Sequence, residues 1–95
     1  MGQDTETTFL FELLTPEDVV ISQPVREVVI PGQEGYFGVQ ASHTYFATML
    51  KSGLLTVKWG EQVRRYLIDG GVAQVTPEKV VVCAESAVLE QVQAL

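Results

Sequence analysis

At 95 residues, 46% hydrophobic and 19% charged, the chain is long enough for one modest core and too apolar to stay disordered. Its net charge of −6, with 6 basic residues against 12 acidic, excludes the clustered lysines and arginines that a nucleic-acid backbone demands. Cys83 is the sole cysteine, which rules out an internal disulfide, and no apolar run reaches the length of a membrane-spanning helix.

Residues 1–8 are polar, with acidic Asp4 and Glu6 where a signal or transit peptide needs basic residues, and read as a flexible N-terminus. From Phe9 onward, runs rich in Val, Ile, Phe, Tyr and Thr are punctuated by Pro, Gly, Asp or Glu about every eight to twelve residues, the rhythm of an all-β sandwich or barrel. Strands are predicted near Thr8–Leu14, Val19–Ser22, Val25–Ile30, Tyr36–Gln40, Tyr45–Leu50, Leu54–Trp59, Gln62–Ile68, Val72–Thr76 and Lys79–Glu85. Between them, Thr15-Pro16, Pro31-Gly32, Ser52-Gly53, Gly60-Glu61, Asp69-Gly70-Gly71 and Thr76-Pro77 carry turn chemistry.

Within Ile30–His43, Gly32, Gly35 and Gly38 surround Gln33 and Glu34, which predicts a tight reversal between paired strands. No helix pattern follows, so the glycines make neither a dinucleotide fingerprint nor a phosphate cradle. In Leu54–Trp59, Leu55, Val57 and Trp59 share a face that is expected to be buried, with Thr56 and Lys58 opposite. Gln62–Ile68 has no clean polar face and reads as covered on both sides, arginine stems packed and heads at the rim. Lys58, Arg64 and Arg65 form a basic patch only if pairing brings them together. Cys83, inside Val80–Ala84, reads as a small buried hydrophobe.

The tail reads two ways. Val88, Leu89, Val92 and Leu95 recur at helical spacing behind Ser86, a residue suited to an N-cap, while Ala87–Leu89 equally extends the preceding strand after a bulge. The expectation is a strand to about Val88 followed by a frayed or helical end, with 9–89 as the folded domain and 90–95 as a tail.

Catalytic chemistry is not evident. His43 is the only histidine and has no serine elbow beside it, and a metal site needs more His, Cys, Asp and Glu at ligand spacing than the chain offers. The expectation is therefore a non-enzyme with no catalytic residue, no metal and no cofactor.

Five motifs, FELLTPEDVVIS, VREVVIPGQEGYFGV, His43 with the stretch to KSGLLTVK, DGGVAQV and VVVCAESAV, stand in an order that resembles the N-terminal β-sandwich domain of the ε subunit of F-type ATP synthases, the δ subunit of mitochondria. The resemblance runs from Phe9 to about Leu89 and implies a ten-stranded antiparallel β-sandwich in the central stalk. It implies partners: the γ subunit, the c-ring and, indirectly, the α/β catalytic hexamer. It also implies a non-catalytic rotor role coupling proton transport to ATP synthesis, at the cytoplasmic face of a bacterial inner membrane and without insertion. By the same resemblance, Gly32, Gln33, Glu34, Gly35, Tyr36, Gln40 and His43 face the c-ring, and Asp69, Gly70, Gly71 and Val72 face γ. Two departures stand out: His43-Thr44-Tyr45 replaces the family's His-Ala-Pro run, and Ser52-Gly53 replaces Pro-Gly. The chain stops near where the family's two-helix hairpin begins, so either a naturally short form or a truncated one is expected, and in both cases a helical brake on hydrolysis is not available to these residues. A free-standing β-sandwich adaptor that binds along an exposed strand edge is the alternative.

Overall fold

A computed structural model describes residues 7–41 and 45–94. They form strands throughout, with no helix among the described residues: β1 (Phe9–Leu14), β2 (Val19–Val25), β3 (Glu27–Gly32), β4 (Gly35–Gln40), β5 (Phe46–Leu50), β6 (Gly53–Trp59), β7 (Gln62–Ile68), β8 (Gly71–Val75), β9 (Lys79–Cys83) and β10 (Ala87–Ala94). The pairing order is β10-β7-β6-β3-β5-β8-β9-β1-β2, with β4 on β3. The β3–β5 step is the single pair Gly32↔Leu50, so the ladder folds there into two facing sheets. The first sheet is β4-β3-β6-β7-β10 and the second is β5-β8-β9-β1-β2. β1 and β9 run parallel, while the other pairings among the described residues are antiparallel.

Period-two alternation makes this architecture inevitable once the sheets face each other. Phe11, Leu13, Val25, Val28, Ile30, Leu55, Val57, Ile68, Val80 and Val82 point inward from both sheets and form one core. No polar or charged side chain among the described residues is buried with them. Leu55 and Val57 are buried and Trp59 packs against the core, as the alternation of that strand requires.

The structure revises several sequence expectations. The break expected at Gln23-Pro24 is absent, because β2 is an edge strand and a proline costs nothing where no outer neighbour seeks its N–H. The helical or frayed tail is instead β10, which lies along β7 from Ala87 to Ala94 with a bulge between Leu89 and Gln91. A helix of that length is marginal without docking, whereas the free edge of β7 supplies backbone partners for every second residue. Arg65 adds a side-chain clamp, its Nη1 donating to Gln93 Oε1 at 2.8 Å and to Gln91 Oε1 at 3.3 Å.

Cys83 is exposed, not buried: Val80 and Val82 take the inner positions of β9, and the next alternate residue outward is Cys83. The basic residues also part company. Arg64 lies on the inner side with its guanidinium 5.0 Å from the Trp59 ring centroid, Lys58 pairs with Glu27 at 3.3 Å, and Arg65 holds the β10 glutamines. The strand β7 is thus partly covered on both sides, with Val63 and Tyr66 buried, as its mixed pattern implied.

Gly71 has φ +121, and a Cβ there would run into the carbonyl of Cys83 on the paired strand. Gly60 has φ +55 with open space around it. Gly71→Ala is therefore expected to cost about 2 kcal/mol or more, strain and collision together, against about 1 kcal/mol for Gly60→Ala, as read by urea denaturation.

Candidate docking site

One end of the sandwich collects the β1–β2 turn, the β3–β4 turn, the β5–β6 turn, the β7–β8 turn and the β9–β10 loop, because β1, β3, β5, β7 and β9 all run toward it. Its acidic residues are Glu17, Asp18, Glu34, Asp69 and Glu85, and its one basic residue is Lys51. The chain's negative charge is thus polarised toward this end, while the opposite end mixes Glu27, Glu61 and Glu78 with Arg26, Lys58 and Lys79.

The turns at the acidic end are tied to one another. Gln33 and Glu34 form a two-residue hairpin loop closed by Gly32↔Gly35. Gly35 takes φ +132, and a Cβ at Gly32 would fall 2.8 Å from the Phe37 ring, so the reversal needs glycine at both positions for different reasons. Gln33 N–H donates to the Met49 carbonyl and Lys51 N–H to the Pro31 carbonyl, both at 3.0 Å. The Ser52 hydroxyl donates to Asp69 Oδ1 at 2.6 Å, and Asp69 exchanges backbone hydrogen bonds with Glu85 and Ser86, each at 3.2 Å.

Just behind this end, each outer face carries an apolar row in cross-strand register. On the second sheet, the pairs Met49↔Val72, Val72↔Cys83, Cys83↔Leu14 and Leu14↔Val19 run across every strand. On the first, Tyr36 pairs with Pro31, and Leu54 pairs with Leu67, which pairs with Val88. Tyr36 joins the two parts of that row, its Oη accepting from Leu54 N–H at 3.1 Å. Val19, Tyr36, Met49, Leu54, Leu67, Val72 and Val88 are all exposed. An apolar collar behind a charged tip makes this end the candidate docking surface, since isolated exposed apolar residues are ordinary but contiguous rows are not.

Residues expected from the resemblance fall into three groups. Gly32, Gln33, Glu34, Gly35 and Tyr36 meet Asp69, Gly70, Gly71 and Val72 at the acidic end, and Gln33, Glu34, Met49 and Val72 line one shallow open cleft of about 390 Å³. Gln40 stands at the far end of β4, paired with Glu27, so it does not share that end with the turn. His43 lies outside the described residues. Leu14, Val19, Met49, Leu54 and Leu67 were not singled out by sequence as surface residues, and Cys83 and Val88 were read otherwise, because each shares its strand with apolar residues of the core face or the tail. Only register makes them a row.

Residues 8–90 match the family described as ATP synthase, Delta/Epsilon chain, beta-sandwich domain. The chain belongs to that family. Its epsilon-type relatives include the ATP synthase epsilon chain of Allorhizobium ampelinum, 46% identical over 84% of this chain and 60% of the relative. That of Desulfatibacillum aliphaticivorans is 48% identical over 82% and 56%. The chain thus spans a little over half the length of these relatives. In solved structures, the fold superposes on a chain of the Euglena gracilis mitochondrial ATP synthase OSCP/F1/c-ring assembly with TM-score 0.82 and 28% identity, over 93% of this chain and 56% of that one. A chain of the Tetrahymena thermophila mitochondrial ATP synthase central stalk and c-ring shares the fold at TM-score 0.74 and 13% identity, over 88% and 68%.

Behind the collar on the second sheet of this delta/epsilon-type sandwich, Glu12 is held by Lys79 at 3.2 Å and accepts from the Ser22 hydroxyl at 3.1 Å. The Lys79 hydrogen bond, then that of Ser22, holds its carboxyl below the ordinary glutamate value of 4.5. A depressed carboxylate stabilises the fold above its unfolded pKa and loses that contribution as pH falls through the folded pKa. Acid titration of stability is expected to show part of its decline below about pH 4.5, and Glu12→Gln to flatten that part. Tyr36→Phe leaves Leu54 N–H without its partner and is expected to cost about 1 kcal/mol in urea denaturation.

Proposed function

We propose that the chain is a non-catalytic central-stalk subunit of a proton-translocating F-type ATP synthase, linking the γ subunit to the c-ring and coupling proton transport to ATP synthesis. The observation that carries this reading is the family match over residues 8–90, joined to a sandwich whose exposed apolar rows and acidic turns gather at one end. A rotor element has to transmit torque without turnover of its own, and a β core with no buried polar side chain among the described residues suits a stiff coupling body.

In this reading the Gln33-Glu34 turn, flanked by Gly32, Gly35 and Tyr36, meets the c-ring, as do Gln40 and His43, while Asp69, Gly70, Gly71 and Val72 meet γ. The tip's negative charge suits basic partner loops, and complementarity of this kind steers and orients an encounter. Association with the α/β hexamer follows indirectly, through γ. The protein then sits peripherally at the cytoplasmic face of a bacterial inner membrane.

Affinity capture of the tagged chain from its native membranes, followed by mass spectrometry, is expected to recover γ with α, β and c subunits. Recovery of an unrelated partner with no synthase subunit above background would instead favour the adaptor alternative. Glu34 is exposed in its turn, so Glu34→Lys is expected to leave the thermal midpoint unchanged while lowering ATP-driven proton pumping in membrane vesicles severalfold. Unchanged pumping would remove Glu34 from the c-ring contact.

A further inference from the structure

We infer that Tyr36 is a positioning residue: its hydroxyl replaces a rung lost at the corner between the sheets and so straps the Gln33-Glu34 turn to the first sheet. The polar end of the side chain is spent inside the molecule. In the proposed rotor reading, on which this consequence rests, Tyr36 then serves the c-ring contact through the turn it holds.

The rung is lost where β3 changes sheets. The β3–β6 ladder runs from Glu27↔Lys58 to Val29↔Thr56 and stops there. Continued in the same register, it would set Pro31 opposite Leu54. Instead β3 bends toward β5, and the Pro31 carbonyl accepts from Lys51 N–H at 3.0 Å. Pro31 has no N–H of its own to give. Leu54 N–H is left on the side of β6 that β3 has vacated, and Tyr36 Oη accepts it at 3.1 Å. Tyr36 is the β4 partner of Pro31, so its ring reaches across the departing strand to the next one.

The start of β6 is shaped to receive the phenol. A Cβ at Gly53 would lie 2.5 Å from Tyr36 Oη, 3.3 Å from its Cζ and 3.0 Å from Pro31 Cβ. Gly53 is not among the positive-φ glycines, so space alone calls for glycine there. The seat is itself fixed, since the neighbouring Ser52 donates its hydroxyl to Asp69 Oδ1 at 2.6 Å. The Gln33-Glu34 turn is thus tied once to each sheet: Gln33 N–H donates to the Met49 carbonyl on β5, and Tyr36 Oη accepts from Leu54 on β6. Without the second tie the turn keeps its hold on the second sheet alone and tilts about the Gly32↔Leu50 corner.

Residue-by-residue amide hydrogen exchange of the purified chain tests the strap without any partner. Tyr36→Phe keeps the ring and removes the hydroxyl. It is expected to speed exchange at Leu54, Gln33 and Gly35 by at least about tenfold, against no more than about fivefold at Val80 and Val82, the factor that one lost hydrogen bond gives through global stability. Gly53→Ala displaces the phenol while leaving its hydroxyl in place, and is expected to speed the same turn amides. The two substitutions together are expected to do no more than the stronger one alone, because without the hydroxyl the added methyl loses its nearest collision. A uniform rise across turn and core, or additive effects of the two, would overturn the inference. In membrane vesicles, each substitution is expected to lower proton pumping per ATP hydrolysed severalfold. Normal pumping with Gly53→Ala beside impaired pumping with Tyr36→Phe would make Tyr36 a direct partner contact and overturn its positioning role. Faster turn exchange with pumping intact in both would strike the rotor reading of the turn and leave the strap standing.

Discussion

Gly32 meets Leu50, and on that pair the geometry of the whole domain depends. It is the one ladder step between the two sheets among the described residues, and the chain bends through it because Gly32 has no side chain to collide with the Phe37 ring. Backbone bonds on either side, from Gln33 to Met49 and from Lys51 to Pro31, clamp the corner. The same corner sets the Gln33-Glu34 turn beside the end of β5, and so the acidic tip beside the apolar row of Met49 and Val72. A larger residue at Gly32 would press on the Phe37 ring and the Gly35 carbonyl at this corner.

The rest of the molecule divides labour between interior and exterior. The interior is apolar from both sheets, which gives stiffness but no recognition. The distinctive surface lies in what the strands show outward at one end, where turns bring charge and register brings apolar residues into line. A domain of this size has little core to spare, and holding part of its apolar surface outside is consistent with stability completed by partners. The β10 strand illustrates the same economy: it stays an edge, with Glu90 in a bulge and glutamines held by Arg65, features that discourage further strand addition.

Family membership and geometry support each other at different levels. The family match across residues 8–90 supports the rotor reading, and the segment shared with two ATP synthase epsilon chains covers 60% and 56% of their length. The geometry adds how the proposed contact residues are arranged. It separates Gln40 from the turn by the length of β4 and joins the turn to Asp69–Val72, which sequence had assigned to different partners.

By itself the sequence determined that the protein is all-β, where most strands lie, that a glycine hairpin surrounds Gln33-Glu34, and that Leu55, Val57 and Trp59 face inward. These are local facts, set by alternation and turn chemistry within a few residues. Only the tertiary structure decided the fate of β10, the exposure of Cys83 and the existence of the apolar rows. Helical spacing in Val88, Leu89 and Val92 lost to the vacant edge of β7, a partner up to 32 residues away in sequence by the Ala94↔Gln62 pairing. Cys83 faces solvent because the phase of β9 is set by Val80 and Val82 against the opposite sheet. Met49, Val72, Cys83, Leu14 and Val19 come from five different strands, and their alignment comes from strand register, which beyond the Leu14–Val19 hairpin depends on long-range pairing and is invisible to any local pattern.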